Sequence, residues 1–158
     1  MLTVSLLVCA VIVLAGADDA PAEVAQSRCP DGFEEFKDRC FHYVPKVRNW
    51  ADAETNCQSM KANLASVHSV EEYQFIQGMI TAQTDSFPKS WIGGTDCQQD
   101  GSWLWSDGKV FLYANWCLGE PDNEGGSQCC TEMNFGVGKC WNDIDCSSRL
   151  PSVCGLSL

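Results

Sequence analysis

The chain has 158 residues, 45% of them hydrophobic, and 21 acidic against 10 basic side chains give a formal net charge of −11. This length fits one domain with a substantial hydrophobic core. So acidic a surface repels phosphate backbones and anionic lipid, which excludes nucleic acid and membrane insertion as its main modes of binding.

The N-terminus predicts a secreted, extracellular protein. Residues 1–17 carry no charged side chain, are mostly apolar and end at Ala15-Gly16-Ala17, a pattern typical of signal peptidase cleavage. The apolar stretch is shorter than the ~20 residues that a bilayer span needs. A buried N-terminal helix is the alternative, because the usual basic residues are missing. We predict a signal peptide at residues 1–17, a short acidic tail at 18–28 and one domain at 29–158.

Loss of the signal peptide removes Cys9 and leaves ten cysteines. An even number in an exported domain of this size indicates a disulfide framework, although spacing leaves the connectivity open. Cys129 and Cys130 are adjacent, and bridge geometry disfavours a bond between them, so we expect each to have a separate partner. A zinc site is the alternative, but the closely paired ligands typical of zinc are missing.

The first half of the domain predicts short strands followed by two helices. Residues 29–43 carry aromatic side chains around a turn, a pattern typical of short strands. Asn49 is a suitable N-cap for a helix over residues 50–60. Ser69, with a glutamate three positions later, forms a capping box that opens a second helix over residues 70–79.

The second half predicts strands separated by irregular chain. Residues 81–89 predict a polar loop, and residues 91–94 predict a buried strand that ends in two glycines. Residues 103–105 place two tryptophans in alternation, which indicates a half-buried strand. Residues 111–139 lack periodicity, and a long irregular segment in a compact domain is usually functional. Closing strands are predicted at residues 141–143 and 152–155. The fold class is therefore α+β.

Two short clusters of oxygen donors are candidate metal ligands. Glu120-Pro121-Asp122 lies in the irregular segment, and Asn142-Asp143 lies in a predicted strand. Carboxylate and amide oxygens are the ligands that calcium prefers. The alternative is a solvated acidic loop without a metal. Neither histidine lies in a triad or metal motif, so we predict that the chain is not an enzyme.

Together these motifs resemble the C-type lectin-like domain family over residues 29–158. The matching elements are Trp91-Ile92-Gly93-Gly94, Glu120-Pro121-Asp122, Trp141-Asn142-Asp143 and the cysteines Cys57, Cys130, Cys146 and Cys154. The leader and the adjacent cysteine pair are most similar to fish secreted members, the nattectin-like galactose lectins and type II antifreeze proteins. The resemblance implies five disulfides: Cys29–Cys40, Cys57–Cys154, Cys97–Cys129, Cys117–Cys140 and Cys130–Cys146.

The resemblance also implies a calcium ion that coordinates two neighbouring sugar hydroxyls. The residues implied to hold both the metal and the carbohydrate are Glu120, Asp122, Gln128, Asn142 and Asp143. Family members usually have glutamate at the position of Gln128. Glutamine still offers a carbonyl oxygen, three carboxylates remain, and Glu124 is close enough in sequence to substitute. We expect calcium affinity in the ~10⁻⁴–10⁻³ M range of extracellular modules.

The sugar preference follows from the same tripeptide. Glu-Pro-Asn is typical of mannose-selective members and Gln-Pro-Asp of galactose-selective members. Here Glu120 matches the mannose pattern and Asp122 matches the galactose pattern, so an amide donor must come from Asn142 or Gln128. We predict a calcium-dependent lectin with a slight preference for galactose-containing over mannose-containing glycans.

Two other functions stay open. The first is a type II antifreeze protein, which the high charge around Glu120 disfavours because ice-binding surfaces are flat and modestly polar. The second is a venom toxin or defence protein that does not depend on sugar. Ten cysteines leave none spare for a covalent oligomer, whereas a noncovalent homo-oligomer stays open. A single domain agglutinates cells only if it self-associates, because cross-linking needs two sites.

Overall fold

The computed structural model describes residues 27–158. The predicted signal peptide and all but the last two residues of the predicted tail lie outside this range. Arg28, at the end of that tail, is anchored on the domain: its guanidinium donates to Glu35 at 2.6 and 2.8 Å. Arg28 thus contacts the domain that the sequence predicts to begin at residue 29.

Two helices and one sheet form the α+β domain that the sequence predicted. The helices are α1 (Trp50–Ser59) and α2 (Val70–Thr84). The strands are β1 (Glu34–Phe36), β2 (Arg39–Arg48), β3 (Asn63–Leu64), β4 (Ser90–Thr95), β5 (Leu104–Trp105), β6 (Gln128–Phe135), β7 (Cys140–Asp145) and β8 (Leu150–Ser157). The sheet order is β1-β2-β8-β4-β6-β7, with β3 beside β8 and β5 beside β4. Strand pairs are antiparallel apart from β4 and β8.

Both helices begin at the caps that the sequence predicted. The side chain of Asn49 accepts from Asp52 N at 2.8 Å, and Ser69 Oγ accepts from Glu72 N at 3.1 Å. The other half of the capping box differs, because Glu72 Oε2 accepts from the backbone N–H of His68 at 2.7 Å. Glu72 therefore caps the residue before the helix rather than the N-cap itself.

The structure corrects two predicted loops. Helix α2 continues to Thr84, so the start of the predicted loop at residues 81–89 is helical; it ends at Asp85, which has a left-handed φ of 53°. Strand β6 lies inside the segment predicted to be irregular. Its buried residues include polar Thr131, Glu132 and Asn134. Because both faces are covered, the apolar alternation that marks a half-buried strand is missing.

The core lies between the helices and the sheet. Ala53 and Cys57 of α1 are fully buried, and α2 buries Tyr73, Ile76 and Ile80. These are the inward positions that the helical spacing predicted. Five disulfides link this core to the loops, with the pairing that the family resemblance implies: Cys29–Cys40, Cys57–Cys154, Cys97–Cys129, Cys117–Cys140 and Cys130–Cys146.

A polar network lies beneath the N-terminus of α2. Arg39 donates to Glu72 at 2.7 Å and to the hydroxyl of Ser66 at 2.9 Å. Ser66, which is fully buried, donates to Asp107, and His68 Nε2 lies 2.9 Å from the same hydroxyl. The serine hydroxyl is thus enclosed and already donating, so this serine–histidine contact is not a catalytic pair.

We expect His68 to make stability sensitive to acid. Burial lowers the pKa of His68 below its ordinary 6.5, and Arg39 lowers it further. A histidine whose pKa is depressed by folding contributes stability that is present above the unfolded pKa and is lost as the pH falls through the folded pKa. Melting of His68→Gln in EDTA should therefore depend less on pH below 6.5 than melting of wild type. His42→Gln, which removes the chain's other histidine, is the matched control. An unchanged slope in His68→Gln would assign the effect to other groups.

Candidate functional site

The loop that precedes the oxygen-donor cluster packs on Trp141 of β7. Its fully buried ring meets three loop rings edge-on, with centroids 5.7–6.2 Å away. Those rings are Phe111, Tyr113 and Trp116. Trp141 N donates to Asn115 O at 2.8 Å, and Cys117 N donates to Trp141 O at 2.9 Å. The disulfide from Cys117 to Cys140 closes the loop at the same place, so the loop is tied directly to β7.

Three predicted ligands meet beyond this anchor. Glu120, Asp122 and Asp143 each bring one carboxylate oxygen within 4.8 Å of the others. We call these three residues the carboxylate cluster. Calcium binds oxygen at about 2.3–2.6 Å, so oxygens on opposite sides of one ion lie about 5 Å apart. The spacing of the cluster therefore fits a single calcium ion.

Asp143, which lies in β7, holds the loop of the carboxylate cluster by hydrogen bonds. It is almost fully buried, and its two carboxylate oxygens accept from the backbone N–H groups of Asp122 at 3.1 Å and Asn123 at 2.9 Å. The loop reaches it through a cis peptide between Glu120 and Pro121. Each oxygen of Asp143 retains a lone pair after accepting one N–H. The residue can therefore shape the loop and bind a cation at the same time.

Electrostatics favour a cation at this position. Partial burial raises the pKa of Glu120, and the nearby charges of Asp122 and Asp143 raise it further. Glu120 Oε2 is buried and has no hydrogen-bond partner among residues 27–158. Like charges that share a site disfavour one another's ionised forms. A divalent cation would offset this repulsion and satisfy the unpartnered oxygen.

Gln128 makes two hydrogen bonds within its own loop. Its side-chain oxygen accepts from Glu124 N at 3.1 Å, and its backbone N–H donates to Asn123 Oδ1 at 3.1 Å. The oxygen expected to coordinate calcium thus closes the loop turn, although one lone pair remains. The amide nitrogen of Gln128 has no partner among the described residues, which leaves it as a donor.

Asn142 is held from behind by a buried glutamate. Its Nδ2 donates to Oε1 of Glu132 at 2.9 Å, and the two residues are paired in register between β7 and β6. Glu132 is fully buried, and Lys89 also contacts that oxygen at 3.0 Å. Because the amide nitrogen is fixed on Glu132, the carbonyl oxygen of Asn142 is turned away from that glutamate. Sequence reasoning did not identify Glu132 as a site residue.

Comparison with known proteins identifies the family. The profile described as "Lectin C-type domain" matches residues 46–156. The chain belongs to the C-type lectin domain family. The resemblance drawn from the sequence motifs and the α+β fold expected from it are therefore confirmed.

The relatives of this C-type lectin domain include both lectins and ice-structuring proteins. It is 43% identical to ladderlectin of Oncorhynchus mykiss, over 96% of this chain and 91% of the relative. It is 38% identical to the type-2 ice-structuring protein of Hemitripterus americanus, over 99% of each chain. It is 37% identical to the galactose-specific lectin nattectin of Thalassophryne nattereri, over 85% of this chain and 84% of the relative.

A solved structure of an antifreeze protein shares this fold. The structure of herring type II antifreeze protein has a TM-score of 0.76 and 43% identity, covering 82% of this chain and 99% of that chain. Neither helix of this domain within residues 27–158 is long and apolar enough to cross a bilayer. The fold is thus shared with relatives whose ligands differ, so the ligand must be argued from the site.

A cleft of about 230 Å³ lies beside the carboxylate cluster. Asp122 and Asp143 line one side of it, and Asp96, Asp100 and Trp103 line the other. Sequence reasoning did not select the last three residues. The available signal was a pair of aspartates four positions apart directly after β4. Burial raises the pKa of Asp96, and the charges of Asp100 and Asp143 add to that effect, so the acidic character of the site extends into this cleft.

Glu132 gives a prediction about ligand orientation in this lectin domain. Glu132→Ala removes the acceptor that fixes Asn142 and leaves polar groups unpaired in the interior, which should cost about 1–3 kcal/mol of folding free energy. We expect calcium affinity to fall as well, because Asn142 loses its fixed orientation. Glu132→Gln, which retains a carbonyl acceptor, should recover part of the affinity. Lys89→Met controls for the ion pair; if it matched the effect of Glu132→Ala on calcium, the contact with Asn142 would not be responsible.

Proposed function

We propose that this C-type lectin domain is a secreted, calcium-dependent lectin that binds galactose-containing glycans. The observation that carries the proposal is the carboxylate cluster, in which oxygens from two loop residues and one buried strand residue lie within 4.8 Å of one another. A relative with 37% identity is named as a galactose-specific lectin. Five disulfides are typical of proteins made for an oxidising, extracellular compartment.

Different residues of the site would contact the calcium ion and the sugar. Glu120, Asp122 and Asp143 would hold the calcium ion, with Asn142 adding its carbonyl oxygen. The bound ion supplies positive charge that attracts two neighbouring hydroxyl oxygens of a sugar. Carboxylate oxygens of the cluster would accept the protons of those hydroxyls. The amide nitrogen of Gln128, free of other partners among residues 27–158, would donate to a sugar oxygen.

The preference for galactose over mannose is slight. Asp122 places a carboxylate where galactose-selective members have one, and the donor amide comes from Gln128 rather than from the tripeptide. Specificity is a difference between two affinities, and a hydrogen-bond pattern shared between sugars gives a small difference. We therefore expect binding to both sugars, with galactose bound more tightly.

Ice binding is the second candidate, favoured by the type II relatives and by the herring antifreeze structure. Sugar binding and ice binding would use the same surface but favour different surface charges. The carboxylate cluster and the exposed Glu124 make this surface strongly acidic, whereas ice binding favours flat and modestly polar surfaces. We expect the purified protein to show no thermal hysteresis and no ice shaping.

Retention on immobilised sugars tests the lectin proposal. The mature disulfide-bonded protein should be retained on galactose resin in calcium and released by EDTA, with weaker retention on mannose resin. Passage through both resins in calcium, accompanied by thermal hysteresis, would reject the lectin and favour ice binding. Passage without hysteresis would favour a protein-directed function. Catalysis is not proposed, since the site holds carboxylates without a nucleophile in contact with a base.

A further inference from the structure

We propose that this domain has a second ligand site, a basic cleft that binds the sulfate groups of an anionic glycan without calcium. The cleft has a volume of about 470 Å³ and lies between the end of β2, helix α1 and the start of β8. Ligand pockets commonly measure about 300–1,000 Å³, so the cleft is large enough for a short saccharide. It shares no lining residue with the carboxylate cluster or with the cleft beside it.

The register between β2 and β8 places three positively charged side chains at the basic cleft. Arg48 of β2 pairs with Leu150 of β8, which sets Arg149 beside the end of β2. The register shifts between Val44 and Arg48, where Pro45 offers no backbone N–H. Lys46, Arg48 and Arg149 all line the cleft.

Backbone carbonyls hold both guanidinium groups in place. Arg149 Nη2 donates to Val47 O at 3.2 Å, and Arg48 Nη1 donates to Lys46 O at 3.2 Å. A guanidinium has five N–H donors in a planar fork, so each arginine keeps most of its donors for a ligand. That fork matches the oxygens of sulfate or phosphate through two parallel hydrogen bonds.

The positive charge of the basic cleft contrasts with the rest of the chain. Lys46, Arg48 and Arg149 face one carboxylate, Asp52, while the whole chain carries a net charge of −11. Among residues 27–158, none of the three cations forms a salt bridge, whereas Arg28, Arg39, Lys89 and Lys109 do. Unpaired like charges gathered in one concave region attract an anion.

Helix α1 supplies the neutral wall that a sugar would contact. Thr55, Asn56 and Ser59 line the cleft on the helix face opposite the buried Ala53 and Cys57. The hydroxyls of Thr55 and Ser59 donate to carbonyls of their own helix at 3.0 and 2.6 Å. Their oxygen lone pairs therefore stay available to accept sugar hydroxyls, and the amide of Asn56 can both donate and accept.

These features favour a sulfated saccharide over other anionic ligands. A free inorganic anion would use the cations but not the polar wall of α1. A flat anionic membrane would be repelled by the chain as a whole, which carries a net charge of −11. A short sulfated chain contacts the cleft alone.

The test uses the mature disulfide-bonded protein in EDTA, titrated calorimetrically with a chondroitin 4-sulfate hexasaccharide. We expect binding that weakens as salt increases and that is absent with the desulfated hexasaccharide. Arg48→Gln/Arg149→Gln should lower the affinity at least about tenfold, the scale expected for loss of charge-assisted hydrogen bonds. Lys37→Gln/Lys61→Gln removes the same charge outside the cleft and should change the affinity less than about twofold.

Several results would overturn the proposal. These are equal loss of affinity in both double variants, a requirement for calcium, displacement by inorganic sulfate at the same molar concentration, and tighter binding to phosphatidylserine vesicles than to the hexasaccharide. Thermal melting of each variant in EDTA checks that it is folded. Because every measurement is made without calcium, failure here leaves the galactose proposal standing, and failure of galactose binding leaves this one standing.

Discussion

Replacing Glu120 with glutamine should stabilise the protein in EDTA and remove about half of its stabilisation by calcium. In EDTA the substitution relieves repulsion among the carboxylate cluster, where burial and neighbouring charges raise the pKa of Glu120. Relief of partly screened charges is worth a few tenths to about 1 kcal/mol. With calcium at 100 times its dissociation constant, wild type should gain about 2.7 kcal/mol, and a tenfold loss of affinity cuts that to about 1.4 kcal/mol.

Thermal melting in EDTA and in calcium measures both effects in one experiment. Glu124→Gln is the matched control, because Glu124 lies in the same loop and was a candidate substitute ligand, yet stands outside the carboxylate cluster. It should leave the calcium response close to that of wild type. If Glu124→Gln removed the response and Glu120→Gln preserved it, the ion would have to lie elsewhere in the loop.

Removal of two different disulfides should distinguish an effect on global stability alone from an effect on the geometry of the site as well. Cys57–Cys154 closes a loop of 97 residues, so Cys57→Ser/Cys154→Ser should cost about 4–5 kcal/mol in the chain-entropy picture. Cys117–Cys140 closes 23 residues, and its removal should cost about 3 kcal/mol. Glu120 N donates to Cys117 O at 2.9 Å. The second pair should therefore also weaken calcium binding at least about tenfold, as expected when a supporting contact is lost.

Urea unfolding gives the stability of each variant, and calcium titration of the folded protein gives its affinity. Cys57→Ser/Cys154→Ser should bind calcium like wild type as long as it remains folded. Equal calcium affinities in the two double variants would show that the Cys117–Cys140 bridge does not position the cluster. Both stability losses are large beside the 5–15 kcal/mol that typically holds a domain together.

The sequence was sufficient to predict both helix starts, because a single capping residue determines where each helix begins. Asn49 and Ser69 mark helix starts because their side chains satisfy backbone N–H groups that no neighbouring turn can reach. The end of α2 was missed because Thr81 and Thr84, which resemble loop residues, bond back to carbonyls of the preceding turn at 2.8 Å. The polar character of residues 81–84 thus concealed a helix.

Long-range contacts explain what the sequence could not supply. Nothing local connects Asn142 with Glu132, or Arg149 with Arg48, because strand register decides which residues face one another. Glu120, Asp122, Asn142 and Asp143 were selected because their side chains carry oxygen donors that suit calcium, and the resemblance to a known family indicated that they share one ion. Gln128 was selected from that resemblance alone, and its side-chain oxygen accepts from the backbone N–H of Glu124 in its own loop.

Calorimetric titration of the mature, disulfide-bonded protein with calcium and then with galactose tests the central claim most directly. We expect calcium to bind with a dissociation constant of about 10⁻⁴–10⁻³ M. Heat from galactose should appear only after calcium is present and should be absent from Glu120→Gln under the same conditions. Galactose binding of equal strength in EDTA, or no calcium binding by a protein that melts cooperatively, would contradict the assignment of these carboxylates to a metal that holds the sugar.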